Sequence, residues 1–121
     1  MSSAHRDLVE WMPLEFNSSA DYLCNWAMYR QSSVEHVLPH ALRSSTSAGC
    51  DLRVNSDGGQ RGTSCAATGW MTRGCICDET GTFHESVVAT AATYITAGLT
   101  PFGAEVIALD MAFQIVDLYM L

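Results

Sequence analysis

Residues 51–62, DLRVNSDGGQRG, restrict this chain more than any other stretch. They read as a strand, 52–56, running into a glycine turn. By the two-residue strand period, Leu52, Val54 and Ser56 share one face, and Arg53, Asn55 and Asp57 the other. Asp57 is then expected at the carboxyl end of a strand, with a sharp turn at Gly58–Gly59. Two glycines allow positive φ and close approach of another group to the backbone. An acid so placed is held by a rigid element and open to a ligand. Asp-Gly is also a common turn pair, so an ordinary hairpin explains this stretch taken alone.

A chain of 121 residues with 48% apolar residues is one domain with a real core. The start, MSSAHRDLVE, has charges where a secretion signal needs an apolar run. The longest uncharged run, 87–104, carries four threonines, two glycines and a proline. It reads as a buried strand plus a turn, and no membrane span is expected. Five cysteines, Cys24, Cys50, Cys65, Cys75 and Cys77, are an odd number without a signal. Reduced thiols and an intracellular location, cytoplasmic or nuclear, are therefore expected. Cys75 and Cys77, with Asp78 and His84 nearby, offer a minor alternative, a Cys/His metal module. The spacing is not the C-x₂₋₄-C of structural zinc sites. Net charge is −7, and every basic side chain except histidine is an arginine. Such a surface opposes nonspecific binding to phosphate backbones. It opposes less an enzyme whose acids hold divalent cations, because the cations invert the local sign.

Along the chain, 7–12 reads as a short strand stopped by Pro13. Asn17-Ser18-Ser19 offers a helix start, and Ala20, Leu23, Cys24, Ala27 and Met28 form an apolar stripe. Asp21 lies in that helix's first turn, where the helix dipole alone would favour an acid. Residues 31–50 read as a linker, with one helical turn at 34–38 broken by Pro39 and a flexible serine cluster at 44–47. Residues 64–73 read as the hairpin partner of 52–56, extended by 74–81, and 82–96 as a third strand. Thr100-Pro101 is a helix entry, with Thr as N-cap and Pro in the first position. The helix is expected from about 102 to 119, with Ala104, Ala108, Met111, Ala112, Ile115 and Leu118 as its apolar stripe and Glu105 one turn inside its start.

This order, strand–DGG–strand–strand–helix, resembles the ribonuclease H-like superfamily, whose first strand ends in Asp-Gly. Its helix reads roughly A-E-x-x-A-L-x-x-A-[LF]. Ala104, Glu105, Ala108, Leu109, Ala112 and Phe113 match at that spacing. RGTSCAATGW is similar to the family's second strand. The N-terminal LVEWMPLEFNSSADYLCNWAM resembles the end of the same fold in its retroelement and plant-type form. There Pro13, Glu15, Asn17, Ala20, Asp21, Leu23 and Ala27 match, while Leu14 stands where the family has Arg. The order is permuted, and the fourth strand with its acid has no match. Nor does the family's catalytic loop histidine. The resemblance accommodates a chain cut from tandem units or a permuted single domain.

What the resemblance implies is an α+β fold, a mixed sheet with a three-stranded antiparallel meander over about 51–96 followed by a packed helix. An N-terminal strand–helix unit, 1–30, joins through the linker 31–50 to the main unit, 51–121. It further implies two Mg²⁺ or Mn²⁺ ions, with Asp57 bridging both and Glu105 and Asp21 each holding one. The ancestral reaction is hydrolysis of RNA in RNA–DNA hybrids, incomplete or inactive in the isolated chain. A non-catalytic structural or interaction unit is the alternative. Asp110 cannot replace the missing acid, since five residues along a helix it points about 140° from Glu105. Asp117 is no better placed. The first strand's outer edge is expected to pair with 7–12 or with a second copy of the chain.

Overall fold

The computed structural model describes residues 17–47, 49–62, 65–95 and 100–119. The expected strand at 7–12, with Pro13, Leu14 and Glu15, lies outside them. The described chain runs α1 (Ser18–Arg30), β1 (Val34–Val37), α2 (Pro39–Ser47), β2 (Arg53–Arg61), β3 (Cys65–Cys77), β4 (Phe83–Ile95) and α3 (Pro101–Tyr119). The fold is α+β. Among the described residues its sheet is antiparallel throughout, in the order β1-β4-β3-β2, rather than mixed as expected.

The meander forms where the alternation places it. Arg53 pairs with Arg73, Ser56 with Trp70 and Arg61 with Cys65. Thr68 then pairs with Thr93 and Cys77 with Phe83. The glycine pair, however, does not turn the chain. Gly58 and Gly59 lie inside β2, paired with Thr68 and Ala67, and Leu52 falls just before the strand. The hairpin instead reverses after Arg61, where Gly62 has φ +64°. Asp57 is therefore a mid-strand residue, not a strand terminus.

Residues 31–50 are not a linker. Residues 34–37, expected as part of a helical turn, form β1 against residues 92–89 of β4. Pro39 opens α2 rather than breaking a helix, a position where its missing N–H costs nothing. The serine cluster belongs to α2, which is closed by a C-cap. Gly49 has φ +74°, and Cys50 N–H donates back to the Ser45 carbonyl at 3.2 Å.

Alternation of side chains makes two packing layers. On one face, Ala67 and Ala92 meet Cys24, Ala27 and Met28 of α1. On the other, Trp70, Ala89 and Ala91 meet Ala112 of α3, with Val37, Val54, Met111 and Ile115 around them. The α1 stripe falls as expected, except that Leu23 is only partly buried. The α3 stripe is narrower. Ala104, Ala108 and Ala112 are fully buried, Val116 joins them, and Leu118 is 63% exposed. Thr100 caps α3 as expected, accepting from Gly103 N–H at 3.0 Å. No described helix is long and apolar enough to cross a membrane.

Candidate active site

Helices faced with alanine can approach a sheet faced with glycine and alanine very closely, and this decides where the acids go. Gly69 is the cross-strand partner of Asp57. A Cβ on Gly69 would collide with the Ala20 carbonyl oxygen, the Cys24 nitrogen and the Leu23 Cβ. Its absence lets the first turn of α1 settle onto β3, and Asp21 belongs to that turn. Gly58 does the same on the opposite face. A Cβ there would strike the peptide joining Ala104 to Glu105, so α3 begins directly against β2. Gly69 thus sets the start of α1, with Asp21, over Asp57, and Gly58 sets the start of α3, with Glu105, against the other face of β2.

Of the three sequence-predicted acids, Asp21 meets Asp57, while Glu105 acts on it only through its charge. The Asp57 carboxyl shares a hydrogen bond with the Asp21 carboxyl, and Glu105 is close enough to act on it electrostatically. Burial comes first in pushing the Asp57 carboxyl up to about 6, followed by the Asp21 hydrogen bond and the charges of Asp21 and Glu105. The Gly58 backbone N–H pulls the other way. The hydrogen bond needs a proton, which the raised affinity keeps on Asp57 at acid pH, up to about 6. On the far side of the pair, Asn25 Nδ2 donates to Asp21 Oδ2 at 3.2 Å and fixes that carboxylate's orientation.

Asn17 does not cap α1 with its side chain. It donates through Nδ2 to the Ser56 carbonyl at 2.8 Å, next to Asp57, tying the helix entry to β2. β2 is the terminal strand of the described sheet, so this contact meets the edge that was expected to need a partner. Sequence reading missed the roles of Asn17, Asn25 and Gly69. A glycine inside a strand pattern, as in ATGW, is the available signal for Gly69, because it marks a close backbone approach.

Asp110, Asp117, Asp78 and Cys75 stand elsewhere. Asp110 is exposed and accepts from Gln114 Nε2 at 2.8 Å, and Asp117 is exposed. Asp78 is used up by the β3–β4 turn. Its Oδ1 accepts from Thr80 Oγ1 at 2.6 Å, Thr80 N–H at 2.9 Å and Thr82 N–H at 3.0 Å, and its Oδ2 meets His84 Nε2. These bonds, the Thr80 and His84 side chains foremost, pull Asp78 down to about 2. The Cys75 thiol faces Cys50 rather than a histidine. Among the described residues no three His, Cys, Asp or Glu side chains form a group that could hold a metal ion.

Asp57 and Asp21 are a pair of carboxylates, the oxygen-donor type that hard divalent cations take. They stand within hydrogen-bond reach of one another, without the third ligand that would make a metal-holding group among the described residues. Glu105 adds negative charge without completing a closed set. The chain matches no family model, no curated protein and no solved structure.

Proposed function

We propose that Asp57, Asp21 and Glu105 form an incomplete ribonuclease H-like site, whose chemistry is metal-assisted hydrolysis of RNA in RNA–DNA hybrids. The observation that carries this is the meeting of Asp21 with Asp57. Residues from the two separate stretches that resemble the family share one hydrogen bond, with Glu105 acting on the same carboxyl. Two packed helices on opposite faces of a meander support the ribonuclease H-like arrangement as well.

In the site, Asp57 and Asp21 would hold Mg²⁺ or Mn²⁺. Cations bound there would supply a water of lowered pKa and would stabilise the departing 3′-oxygen. The chain's own contribution is positional. Burial and the like-charged neighbours hold Asp57 ready to exchange its proton for a cation, Asn25 aims Asp21, and Gly58 brings Glu105 near. The proposed setting is intracellular, and the proposed partner is a nucleic-acid hybrid.

A second reading, a non-catalytic interaction unit keeping the fold, is favoured by one observation: the acids brought together do not complete a metal-holding group. The deciding measurement is cleavage of a labelled RNA–DNA hybrid in Mg²⁺ or Mn²⁺, alongside Asp57→Asn. Cleavage that the substitution abolishes establishes the nuclease. No cleavage by folded protein in either metal leaves the interaction unit.

A further inference from the structure

Away from the acids, the end of α2 meets β3 in an arrangement that none of the proposed chemistry uses. Ser45 is fully buried at this junction. Its carbonyl accepts the Cys50 N–H at 3.2 Å, and its hydroxyl lies 2.7 Å from the Cys75 carbonyl and 2.9 Å from that of Ala41. One residue therefore fixes the backbones of both cysteines. Gly74 removes the last obstacle, since a Cβ there would press on the Ser45 hydroxyl and the Leu52 side chain. The left-handed Gly49 turns the chain so that Cys50 arrives beside the strand.

We propose that Cys50 and Cys75 are an oxidation site, closing to a reversible disulfide that clamps the end of α2 to the base of the β2–β3 hairpin. Both thiols are partly exposed and neither is in a disulfide in this structure. They lie within hydrogen-bond reach of one another, and the Cys75 contact is the first cause, ahead of burial and the nearby Asp51 charge, that pushes the Cys50 thiol up to about 11. Cys77 is the rival partner for Cys75. Two residues along an extended strand, however, separate their Cα atoms by roughly 6.8 Å, at the outer limit of disulfide geometry. The bridge would close a loop that contains all of β2, and with it Asp57.

A glutathione disulfide is the oxidant class that makes the chemistry balance. A thiolate of the pair attacks it, releasing one glutathione thiol and leaving a mixed disulfide. The second protein thiolate then displaces the other glutathione thiol, so two protein S–H bonds are replaced by one S–S bond. The test is to treat the folded, reduced full chain with glutathione disulfide, alkylate the remaining thiols and map the peptides by mass spectrometry. The expected result is a Cys50–Cys75 linkage in place of those two free thiols, beside a glutathione adduct on Cys77, both reversed by dithiothreitol. In Cys50→Ser, Cys75 should stop at the mixed disulfide with glutathione. If Cys50 and Cys75 both remain alkylatable under conditions that glutathionylate the exposed Cys77, or if the linkage joins a different pair, the proposal is overturned. The mapping on the unaltered chain decides the matter even if the serine variant does not fold.

Discussion

A carboxyl group that meets another carboxyl across two packed elements must keep a proton or gain a cation. Asp57 is in that position, and its protonation is tied to stability. Its folded pKa of about 6 lies above the ordinary 3.8, so the folded state binds its proton more tightly than the unfolded chain does. The favourable contribution is present at low pH and is lost as pH rises from about 4 to about 6. Above that window the ionised Asp57 strains against Asp21 and Glu105. Asp57→Asn keeps the shape and a hydrogen-bond donor while removing the charge. We expect it to raise stability near pH 7.5 by about 1–2 kcal/mol, a value already reduced for solvent screening at a half-buried site. The thermal midpoint should rise by several degrees at that pH and hardly at all at pH 4. Thermal melts of both proteins at the two pH values check this, and an equal shift at both would mean the charge is not the cause. Added Mg²⁺ should raise the midpoint of the unaltered chain at pH 7.5, and that of Asp57→Asn far less.

At the scale of elements, glycine is what sequence pattern read least well. The Gly58–Gly59 pair looks like a turn because glycine usually marks one, yet both residues continue β2. Their purpose is visible only against neighbours distant in sequence, the start of α3 for Gly58 and Met28 and Cys24 for Gly59. Position by position, the approach of Asp21 to Asp57 was expected only from a resemblance in their flanking residues, whereas the strand's true length was not expected at all. Gly69→Ala sets a methyl group against the α1 backbone, and Gly58→Ala sets one against the α3 backbone. Neither obstacle is a flexible side chain that can swing aside. Each substitution should cost about 1–3 kcal/mol as overpacking. Each should also move one acid away from Asp57: Asp21 in the first case, Glu105 in the second. The check is the Asp57 pKa followed by carbon-detected NMR titration. Both variants should bring it down from about 6 toward the ordinary carboxylate range, Gly69→Ala more strongly because it breaks the hydrogen bond. Unchanged titration in a folded Gly69→Ala protein would show that α1 does not owe its position to that glycine.

For the whole molecule, the weak pattern of residues 31–50 hid a strand and a helix. β1 is four residues long with mostly exposed side chains, and α2 is nine residues long, opens on a proline and ends in a serine-rich run, so both are too short and too polar to stand out from sequence. Both are specified by tertiary contact: β1 by pairing with β4, and α2 by fully buried Leu42 and Ser45. The stretch 34–47 is therefore structural. The meander's α1 face presents Ala67, Gly69 and Ala92, small residues that make a core only when a helix lies on them. Burying Ala20, Cys24, Ala27 and Met28 contributes on the order of 5 kcal/mol, comparable to the whole net stability of a small domain. A fragment of residues 50–121 loses that layer, together with β1 and α2. We expect it to show no cooperative thermal transition and to bind a hydrophobic dye, although it retains the meander, α3, Asp57 and Glu105. Adding a separate fragment of residues 1–49 should restore the transition, because the sheet face and the Asp57 carboxyl then regain α1 with Asp21. A cooperative melt of residues 50–121 alone, within a few degrees of the full chain, would mean instead that the meander and α3 are self-sufficient and that the first half is an addition to a finished unit.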